Sequence, residues 1–293
     1  MHFTSNINRP PYEADAGYLQ VTSGCSHASC AFCSYFKDTC FKKSSIEEIE
    51  ADIKEMPSLF GNPKRIFLQS ADGFAADYDV LMKTAELIHK QLPSVESIGG
   101  YARIDNFTSK TIEQLRNMQQ AGFSNPYIGV ESGDDVVLKM VNKGYTAAVA
   151  REQMEKLEIA GFSYNVNFLN GLGGHGYGLG HARKTAKLYD GLHPNMIDMS
   201  TLTIVPGTIL YRKRAKGEYV EATEIEKIAE TQEFLRCLTN HTIFMTEHVS
   251  VPYHVKVRLP EGKEELIKAI GKIAQEVGEK KLKNYREKVV QYF

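Results

Sequence analysis

Three of the five cysteines of this 293-residue chain lie between positions 25 and 33, in the sequence GCSHASCAFC. Cys25, Cys30 and Cys33 give the spacing C-x4-C-x2-C. In a reducing compartment, thiols this close together are more often metal ligands or redox groups than structural disulfides. Three thiolates can hold a [4Fe–4S] cluster and leave one iron open to an exogenous ligand. The residue types and their spacing therefore indicate metal or redox chemistry in this loop.

Other uses of these thiols stay open on the residues alone. With His27, the three cysteines could form a Cys3His zinc site, although four ligands so close in sequence would strain a tetrahedron. A redox pair of Cys30 and Cys33 would leave Cys25 unexplained, and disulfides would leave one thiol over. The remaining cysteines, Cys40 and Cys237, are interpreted as ordinary thiols.

The composition is that of an ordinary globular protein, with 42% hydrophobic residues and a net charge of −1. A dedicated nucleic-acid binder usually carries a strong basic excess, which this chain lacks. No apolar run reaches the roughly 18 residues that a membrane span needs. The N-terminal sequence MHFTSNINRPPYEADAG has no apolar stretch, so we expect no signal peptide and a cytoplasmic location.

The elements that must position the cysteine loop form a regular series in which short apolar runs alternate with amphipathic stretches. The predicted strands are Tyr18–Thr22, Arg65–Gln69, Val95–Gly99, Tyr127–Val130, Tyr164–Leu169 and Ile197–Thr203. The predicted helices are Ile46–Met56, Tyr78–Gln91, Ser109–Ala121, Asp134–Val141, Ala147–Ala160 and His181–Leu192. This alternation predicts an α/β fold, a partial (β/α)6 TIM-like barrel of parallel strands.

The pattern changes near residue 220. A helix over Glu221–Leu238, an extended region over His241–Leu259 and an amphipathic helix over Lys263–Val277 are expected, followed by a lysine-rich helical face. We therefore predict a partial barrel over residues 1–220 and a helical C-terminal extension over 221–293 that packs on the barrel or closes it. The basic run Tyr211–Tyr219 is interpreted as a solvated face rather than an RNA contact.

Polar and glycine-rich loops follow the predicted strands. They are Ser70-Ala71-Asp72-Gly73, Glu131-Ser132-Gly133, Asn170-Gly171-Leu172-Gly173-Gly174 and Val205-Pro206-Gly207-Thr208. Because ligands gather at the carboxyl ends of parallel strands, these loops and the cysteine loop are expected to build one composite site.

The cysteine loop after the first strand, together with YIGVESGDDVVLKMVNKG, NVNFLNGLGG and IVPGT, resembles the radical SAM superfamily. The likeness is strongest to the branch of the Elongator catalytic subunit, the tRNA methylthiotransferases and the oxygen-independent coproporphyrinogen oxidases. The commonest spacing in the superfamily is C-x3-C-x2-C, so this chain has one extra residue in the first gap. The resemblance implies an oxygen-sensitive enzyme with a [4Fe–4S] cluster on Cys25, Cys30 and Cys33. S-adenosylmethionine (SAM) would be reductively cleaved to a 5′-deoxyadenosyl radical that abstracts hydrogen from a substrate.

The resemblance also implies contacts to SAM. The loop of Ser70, Ala71 and Asp72 would receive the amino group, and Lys143 would pair with the carboxylate. Glu131 and Asn167 would contact the ribose. The adenine would lie against the loops that contain Gly171 and Val205. Phe32, directly before Cys33, is the usual aromatic residue of the cysteine motif.

The substrate is less defined by the sequence. The substrate-side candidates are Tyr101, Arg103, His175 and His248, and a small organic molecule is preferred over RNA or a peptide. Only two cysteines remain for an auxiliary cluster, which disfavours methylthiolation. The resemblance implies a one-electron reductant of the flavodoxin or ferredoxin type. A zinc-stabilised α/β protein with a binding or hydrolytic function is the alternative from another class.

Overall fold

Strands and helices alternate along the chain in the computed structural model, which describes residues 1–292. The strands are β1 (Gly17–Leu19), β2 (Thr22–Ser23), β3 (Lys42–Lys43), β4 (Arg65–Leu68), β5 (Ser97–Ala102), β6 (Tyr127–Glu131), β7 (Asn165–Asn170), β8 (Met196–Thr201), β9 (Thr242–Met245) and β10 (Lys256–Leu259). The helices are α1 (Ile46–Phe60), α2 (Tyr78–Gln91), α3 (Ile112–Gln120), α4 (Asp135–Met140), α5 (Ala147–Ile159), α6 (Gly178–Tyr189), α7 (Ile209–Ala215), α8 (Glu224–Cys237) and α9 (Lys263–Val289).

The chain divides into two compact units. The first unit comprises Met1–Ala28, Tyr35–Gly129 and Glu152–Asn165, and the second comprises Ser29–Ser34, Val130–Arg151 and the chain from Val166 onwards. In the first unit the strands β1, β4, β5 and β6 lie side by side and pair in parallel. A short antiparallel pair, β2 with β3, brackets the segment that contains the cysteines.

In the second unit β7, β8, β9 and β10 are neighbours in that order. β8 and β9 are parallel, and β10 pairs with β9 in the antiparallel direction. Helix α8 packs on β7 through Phe234, whose ring stacks on that of Phe168 with centroids 4.3 Å apart. Helix α9 continues this layer because the Gln232 amide on α8 donates to the Ile267 carbonyl at 2.8 Å.

Several helices begin at capping boxes that can be read in the sequence. Ser45 and Glu48 start α1, and Thr223 and Glu226 start α8, each pair satisfying two backbone N–H groups reciprocally. The hydroxyl of Thr208 accepts from the Tyr211 N–H at 3.1 Å and starts α7 in the same manner. Local side-chain chemistry thus sets where these helices start.

The predicted α/β class with mostly parallel strands is confirmed, and some boundaries differ. The first predicted strand is split into β1 and β2, and β5 covers Ser97–Ala102 where Val95–Gly99 was predicted. Gly99 and Gly100, which weaken strand patterns, lie inside β5. A Cβ would lie 2.0 Å from the Arg65 guanidinium at Gly99 and 2.8 Å from Leu68 at Gly100, so the neighbouring strand favours glycine at both positions. The basic run 211–219 contains the end of helix α7, which was not predicted. No helix within residues 1–292 is both long and apolar enough to cross a membrane.

Candidate active site

In the first unit, the loop that follows β4 holds both sides of Cys25. The Ser70 hydroxyl donates at 2.6 Å, and the Ala71 N–H at 3.3 Å, to the carbonyl of the glycine that precedes Cys25. On the other side, the Ser26 N–H donates to the Asp72 carboxylate at 3.2 Å. The predicted amino-group loop therefore has a structural task that the sequence did not reveal: it positions the first cysteine.

Burial dominates the electrostatics around Cys25. It raises the pKa of the Asp72 carboxyl, although hydrogen bonds from Ser26 and the charge of Arg103 act in the opposite direction. Burial also raises the pKa of the Cys25 thiol, and the nearby Asp72 adds to this shift. A bound cation deprotonates a coordinating thiol outright, so the thiolate form of Cys25 would depend on the metal that it binds.

In the second unit, Cys30 and Cys33 belong to a turn that is fixed by main-chain hydrogen bonds. The Cys33 N–H donates to the Cys30 carbonyl at 3.3 Å. Between them, Ala31 donates to the Val141 carbonyl and accepts from the Leu210 N–H, both at 2.8 Å. Ala31 is also part of a buried apolar cluster with Val141 and Leu210. Main-chain hydrogen bonds and apolar packing together hold the turn between α4 and α7.

The same unit places Glu131 and Lys143 beside this turn. The Lys143 ammonium lies 3.2 Å from the Glu131 carboxylate and 5.7 Å from the ring centroid of Phe32. Glu131 ends β6 with φ at +68°, and Ser70, which follows β4, has φ at +83°. A left-handed backbone at a residue other than glycine is costly and is concentrated at ligand sites. Glu131 and Lys143, predicted to bind the ribose and the carboxylate, pair with each other here.

The loops after β7 and β8 contain the other predicted SAM contacts. Asn167 on β7 donates to the Ser200 hydroxyl on β8 at 3.0 Å. Gly171 has φ at +78°, and a Cβ there would lie 3.1 Å from the buried Lys227 side chain. Its carbonyl accepts from the Tyr219 hydroxyl at 3.0 Å. Val205 is buried after β8, where its carbonyl accepts from the Thr208 hydroxyl at 2.8 Å.

A buried polar chain supports two of these loops and was missed at the sequence level. The imidazole of His181 on α6 lies 2.8 Å from the Ser132 hydroxyl through Nε2 and 2.7 Å from the Glu230 carboxylate through Nδ1. The second oxygen of Glu230 accepts from the Gly171 N–H at 2.9 Å. All three side chains are 0% exposed. Ser132 follows Glu131 in the loop after β6, and Gly171 lies in the loop after β7. The hydrogen bonds among Ser132, His181 and Glu230 therefore hold these two loops together.

A serine, a histidine and a carboxylate in this order resemble a hydrolytic triad, but the site lacks access for a substrate. The Ser132 hydroxyl is fully buried and already accepts from the Asp134 N–H at 3.0 Å. A nucleophilic serine must reach a scissile carbonyl and an oxyanion hole. The arrangement therefore positions loops. The signal in the sequence that could have revealed this network was His181, a polar residue on the buried face of α6.

A second buried network anchors the C-terminal helix. Arg286 on α9 binds the Glu224 carboxylate with two hydrogen bonds, at 3.1 and 3.0 Å, and also donates to Thr203 at 3.0 Å. Lys227 donates to the same carboxylate at 2.8 Å. Burial alone would raise the pKa of Glu224, but these two cations hold it below its usual range. The network ties α9 to the loop after β8.

The four substrate-side candidates have different environments. Tyr101 packs edge to face on Phe67 at 5.1 Å, and Arg103 is buried and paired with Asp105 at 2.7 Å. The side chain of His175 is 61% exposed. His248, in the loop after β9, lies 2.7 Å from a serine hydroxyl, and burial together with the charge of Arg286 lowers its pKa to about 4. His248 is therefore neutral at physiological pH.

The three thiols of Cys25, Cys30 and Cys33 are the type of ligand that an iron–sulfur cluster requires. Three thiols come from one short segment, Cys30 is buried, and Cys25 and Cys33 are partly exposed. Within residues 1–292, no three Cys, His, Asp or Glu side chains are grouped so that they could hold one metal ion. In a [4Fe–4S] cluster each thiolate binds a different iron, so convergence on one ion is not what such a site requires.

Comparison with known proteins agrees with these features. Residues 19–189 match the model of the Radical SAM superfamily. A tRNA-2-methylthio-N(6)-dimethylallyladenosine synthase from Alkalilimnicola ehrlichii is 27% identical over 187 residues, which is 57% of this chain and 39% of that protein. A synthase of the same name from Dehalococcoides mccartyi is 27% identical over 163 residues, 52% of this chain and 36% of that protein. The chain thus spans well under half the length of these relatives.

Solved structures show the same fold. Coproporphyrinogen III oxidase from Escherichia coli, described as a radical SAM enzyme, has a TM-score of 0.58 with 16% identity, covering 75% of this chain and 51% of that one. Elp3 from the archaeon Methanocaldococcus infernus has a TM-score of 0.51 with 14% identity, covering 90% of this chain and 64% of that one. These likenesses confirm the predicted fold class. The superfamily consists of enzymes that use a [4Fe–4S] cluster and SAM, and this chain belongs to the radical SAM superfamily.

Proposed function

We propose that this chain binds a [4Fe–4S] cluster through Cys25, Cys30 and Cys33 and uses it to cleave SAM reductively. When bound there, the cluster would supply one electron that cleaves SAM to methionine and a 5′-deoxyadenosyl radical, and this radical would remove hydrogen from a substrate. The proposal extends to the SAM contacts predicted above. Lys143 would hold the carboxylate, Glu131 and Asn167 the ribose, and the loops at Ser70–Asp72, Gly171 and Val205 the rest of the ligand.

The observation that carries the proposal is the arrangement of Glu131 and Lys143 in the second unit. The buried Lys143 ammonium lies 3.2 Å from the partly buried Glu131 carboxylate. It also lies 5.7 Å from the ring centroid of Phe32, the residue that directly precedes Cys33. An acidic side chain at the end of a strand can accept hydrogen bonds from ribose hydroxyls, and an ammonium group can pair with a carboxylate. Each side chain compensates the charge of the other, and SAM would replace one partner in this pair.

We propose a small organic molecule as the substrate. Cys40 and Cys237 are both exposed and far apart in sequence, so within the described residues they offer no ligand set for a second cluster. RNA is the second candidate, because the matched relatives from Alkalilimnicola ehrlichii and Dehalococcoides mccartyi are named as tRNA-modifying synthases. The electron would come from a flavodoxin or ferredoxin in the cytoplasm, where all five thiols stay reduced.

We further propose that residues 221–293 act as an extension of the catalytic fold. In the second unit, Arg286 reaches the loop after β8 through Thr203, and α8 covers β7. The extension would hold the loops at Gly171 and Val205 in place. Removal of Lys280 and the residues beyond it should therefore raise the SAM concentration needed for half-maximal cleavage.

The test is anaerobic reconstitution of the full chain with iron and sulfide, followed by SAM and dithionite and chromatography for 5′-deoxyadenosine. Cys25→Ala should abolish both the brown absorption and the product, whereas Cys237→Ala should retain both. Lys143→Met should keep the cluster absorption and weaken SAM binding. A colourless protein with one bound zinc, whose metal is lost on His27→Ala, would instead establish the zinc-stabilised alternative.

The substrate class is tested with the same assay. Small-molecule fractions of a cell extract, and total tRNA, are added separately, and the rate of 5′-deoxyadenosine formation is compared with the rate without addition. Stimulation by a small-molecule fraction supports the proposal. Stimulation by tRNA alone would make RNA the substrate.

A further inference from the structure

Helix α7 presents a dense basic surface on a chain whose net charge is −1. Over Ile209–Ala215 it contains three basic residues and no acidic one, and Lys216 caps its end. Lys139 on α4 is also exposed. We name this set the α7 basic patch; its members are Lys139, Tyr211, Arg212, Lys213, Arg214 and Lys216.

The patch is built onto the cysteine turn. The Leu210 N–H in the first turn of α7 donates at 2.8 Å to the carbonyl of Ala31, between Cys30 and Cys33. The Lys213 ammonium donates to the Met140 carbonyl at the end of α4 at 3.3 Å. Helix α7, the end of α4 and the turn that contains two cysteines therefore form one contiguous piece of the second unit.

The exposed side of the patch is ordered. The guanidinium of Arg214 lies 5.3 Å from the ring centroid of Tyr211 and pairs with Glu221 at 2.9 Å. Arg212 donates to the Gly207 carbonyl at 2.9 Å. Side chains held in this way lose less conformational entropy when a partner binds.

From this juxtaposition of the basic helix and the cysteine turn, we propose that the α7 basic patch docks a small acidic one-electron carrier protein. The inference rests on the proposed function and deepens it by assigning a surface to the reductant. The carrier is oxidised by one electron, and the cluster is reduced by the same electron. Charge complementarity steers the encounter, as expected for weak, transient electron-transfer complexes with small interfaces.

RNA is a rival acidic partner, and the patch fits it less well. Single-stranded RNA is bound by open aromatic faces on which bases stack, along a basic groove. Tyr211 is the exposed aromatic side chain of the patch, and the Arg214 guanidinium already lies over its ring. The main-chain link to the cysteine turn favours electron delivery, since a donor must come close to the cluster ligands.

The test compares the parent protein with the variant Arg212→Gln/Lys216→Gln. A matched control, Lys268→Gln/Lys280→Gln, removes two exposed charges from α9. Binding of a fluorescently labelled flavodoxin to the metal-free full chain is measured by anisotropy at low and high salt. Bleaching of the reconstituted cluster is then followed with reduced flavodoxin and, separately, with dithionite.

We expect the α7 variant to bind flavodoxin at least about fivefold more weakly at low salt, with the difference lost at high salt. Its cluster should be reduced more slowly by flavodoxin and at the parental rate by dithionite. Equal binding and equal reduction by flavodoxin in the variant and the parent would overturn the assignment. Fluorescently labelled tRNA is titrated in the same anisotropy assay, and loss of tRNA binding in the variant with unchanged flavodoxin binding would make the patch an RNA surface. Failure of the parent to cleave SAM with dithionite would refute the proposed function itself, whereas the anisotropy result still decides the docking surface.

Discussion

Substitution of His181 by leucine is the sharpest test of the buried hydrogen-bond network of Ser132, His181 and Glu230, which links the loop after β6 to the loop after β7. The change removes a 2.7 Å partner from the Glu230 carboxylate and a 2.8 Å partner from the Ser132 hydroxyl. Glu230 keeps the Gly171 N–H but remains a fully buried carboxylate with one oxygen deprived of its donor. Breaking a buried pair by removing one partner costs about 3–5 kcal/mol, and we expect His181→Leu to lower the free energy of unfolding by that amount.

The second substitution separates the buried charge from the lost hydrogen bonds. Glu230→Gln in the His181→Leu background removes the charge and retains an acceptor for the Gly171 N–H. The double variant should then lose only about 1–3 kcal/mol, the usual cost of buried polar groups that lack partners. Glu230→Gln is thus expected to stabilise the His181→Leu protein, although it removes a native carboxylate.

The assay is urea unfolding of the metal-free protein, together with equilibrium dialysis of SAM against the reconstituted protein. SAM binding should weaken in His181→Leu because the loops at Ser132 and Gly171 lose their common anchor, while iron content is retained. His175→Leu is the matched control, since its 2.9 Å pair with Glu226 is largely solvated and is worth less than about 1 kcal/mol. A His181→Leu protein within about 1 kcal/mol of the parent, or a double variant less stable than the single one, would refute the reasoning.

Three other changes test separate features. Gly24→Ala places a Cβ 2.5 Å from a main-chain oxygen at a residue with φ +66°, and should lower the iron content after reconstitution several-fold. Gly161→Ala is the control, because Gly161 has φ +81° but nothing near its Cβ position, and this variant should retain iron. Equal iron content in the two variants would contradict a steric role for Gly24. Burial lowers the pKa of Lys110 to about 8 from 10.5, so between these pH values the unfolded state binds the proton that the folded state has lost. Urea titrations at several pH values should therefore show the free energy of unfolding rising with pH across this window, by at most about 3 kcal/mol. Lys110→Met should abolish this rise. A rise of the same size in Lys110→Met would exclude Lys110 as its source. Arg286→Ala should lower the free energy of unfolding, measured by urea titration, by about 1.5–3 kcal/mol, because the buried Glu224 carboxylate loses two hydrogen bonds but keeps Lys227. Exposed Lys288→Ala should change it by less than about 0.5 kcal/mol, and similar losses in both variants would count against a specific anchor.

Much of the fold could be predicted because its signals are local. Helix α2 begins and ends where the apolar periodicity placed it, at Tyr78 and Gln91. Strand β5 extends beyond its predicted end at Gly99 because Gly100 carries no strand signal. Glycines occur at both positions because Arg65 and Leu68 of the neighbouring strand approach closely there. Helix α7 was missed because its apolar face is short, and a neighbouring segment buries it: Leu210 packs with Ala31 of the cysteine turn.

The sequence alone identified the superfamily of this protein and its candidate cluster ligands, because three thiols at C-x4-C-x2-C and polar loops after successive strands are properties of residue type and spacing. Only the tertiary structure decided what holds those groups. Ser132 and Glu230 are each 49 residues from His181. Helices α6 and α8 come together because His181 on α6 and Phe234 on α8 both pack against Phe168 of β7. Hydrophobic packing brings such distant polar groups together, and no local pattern in the chain encodes that contact.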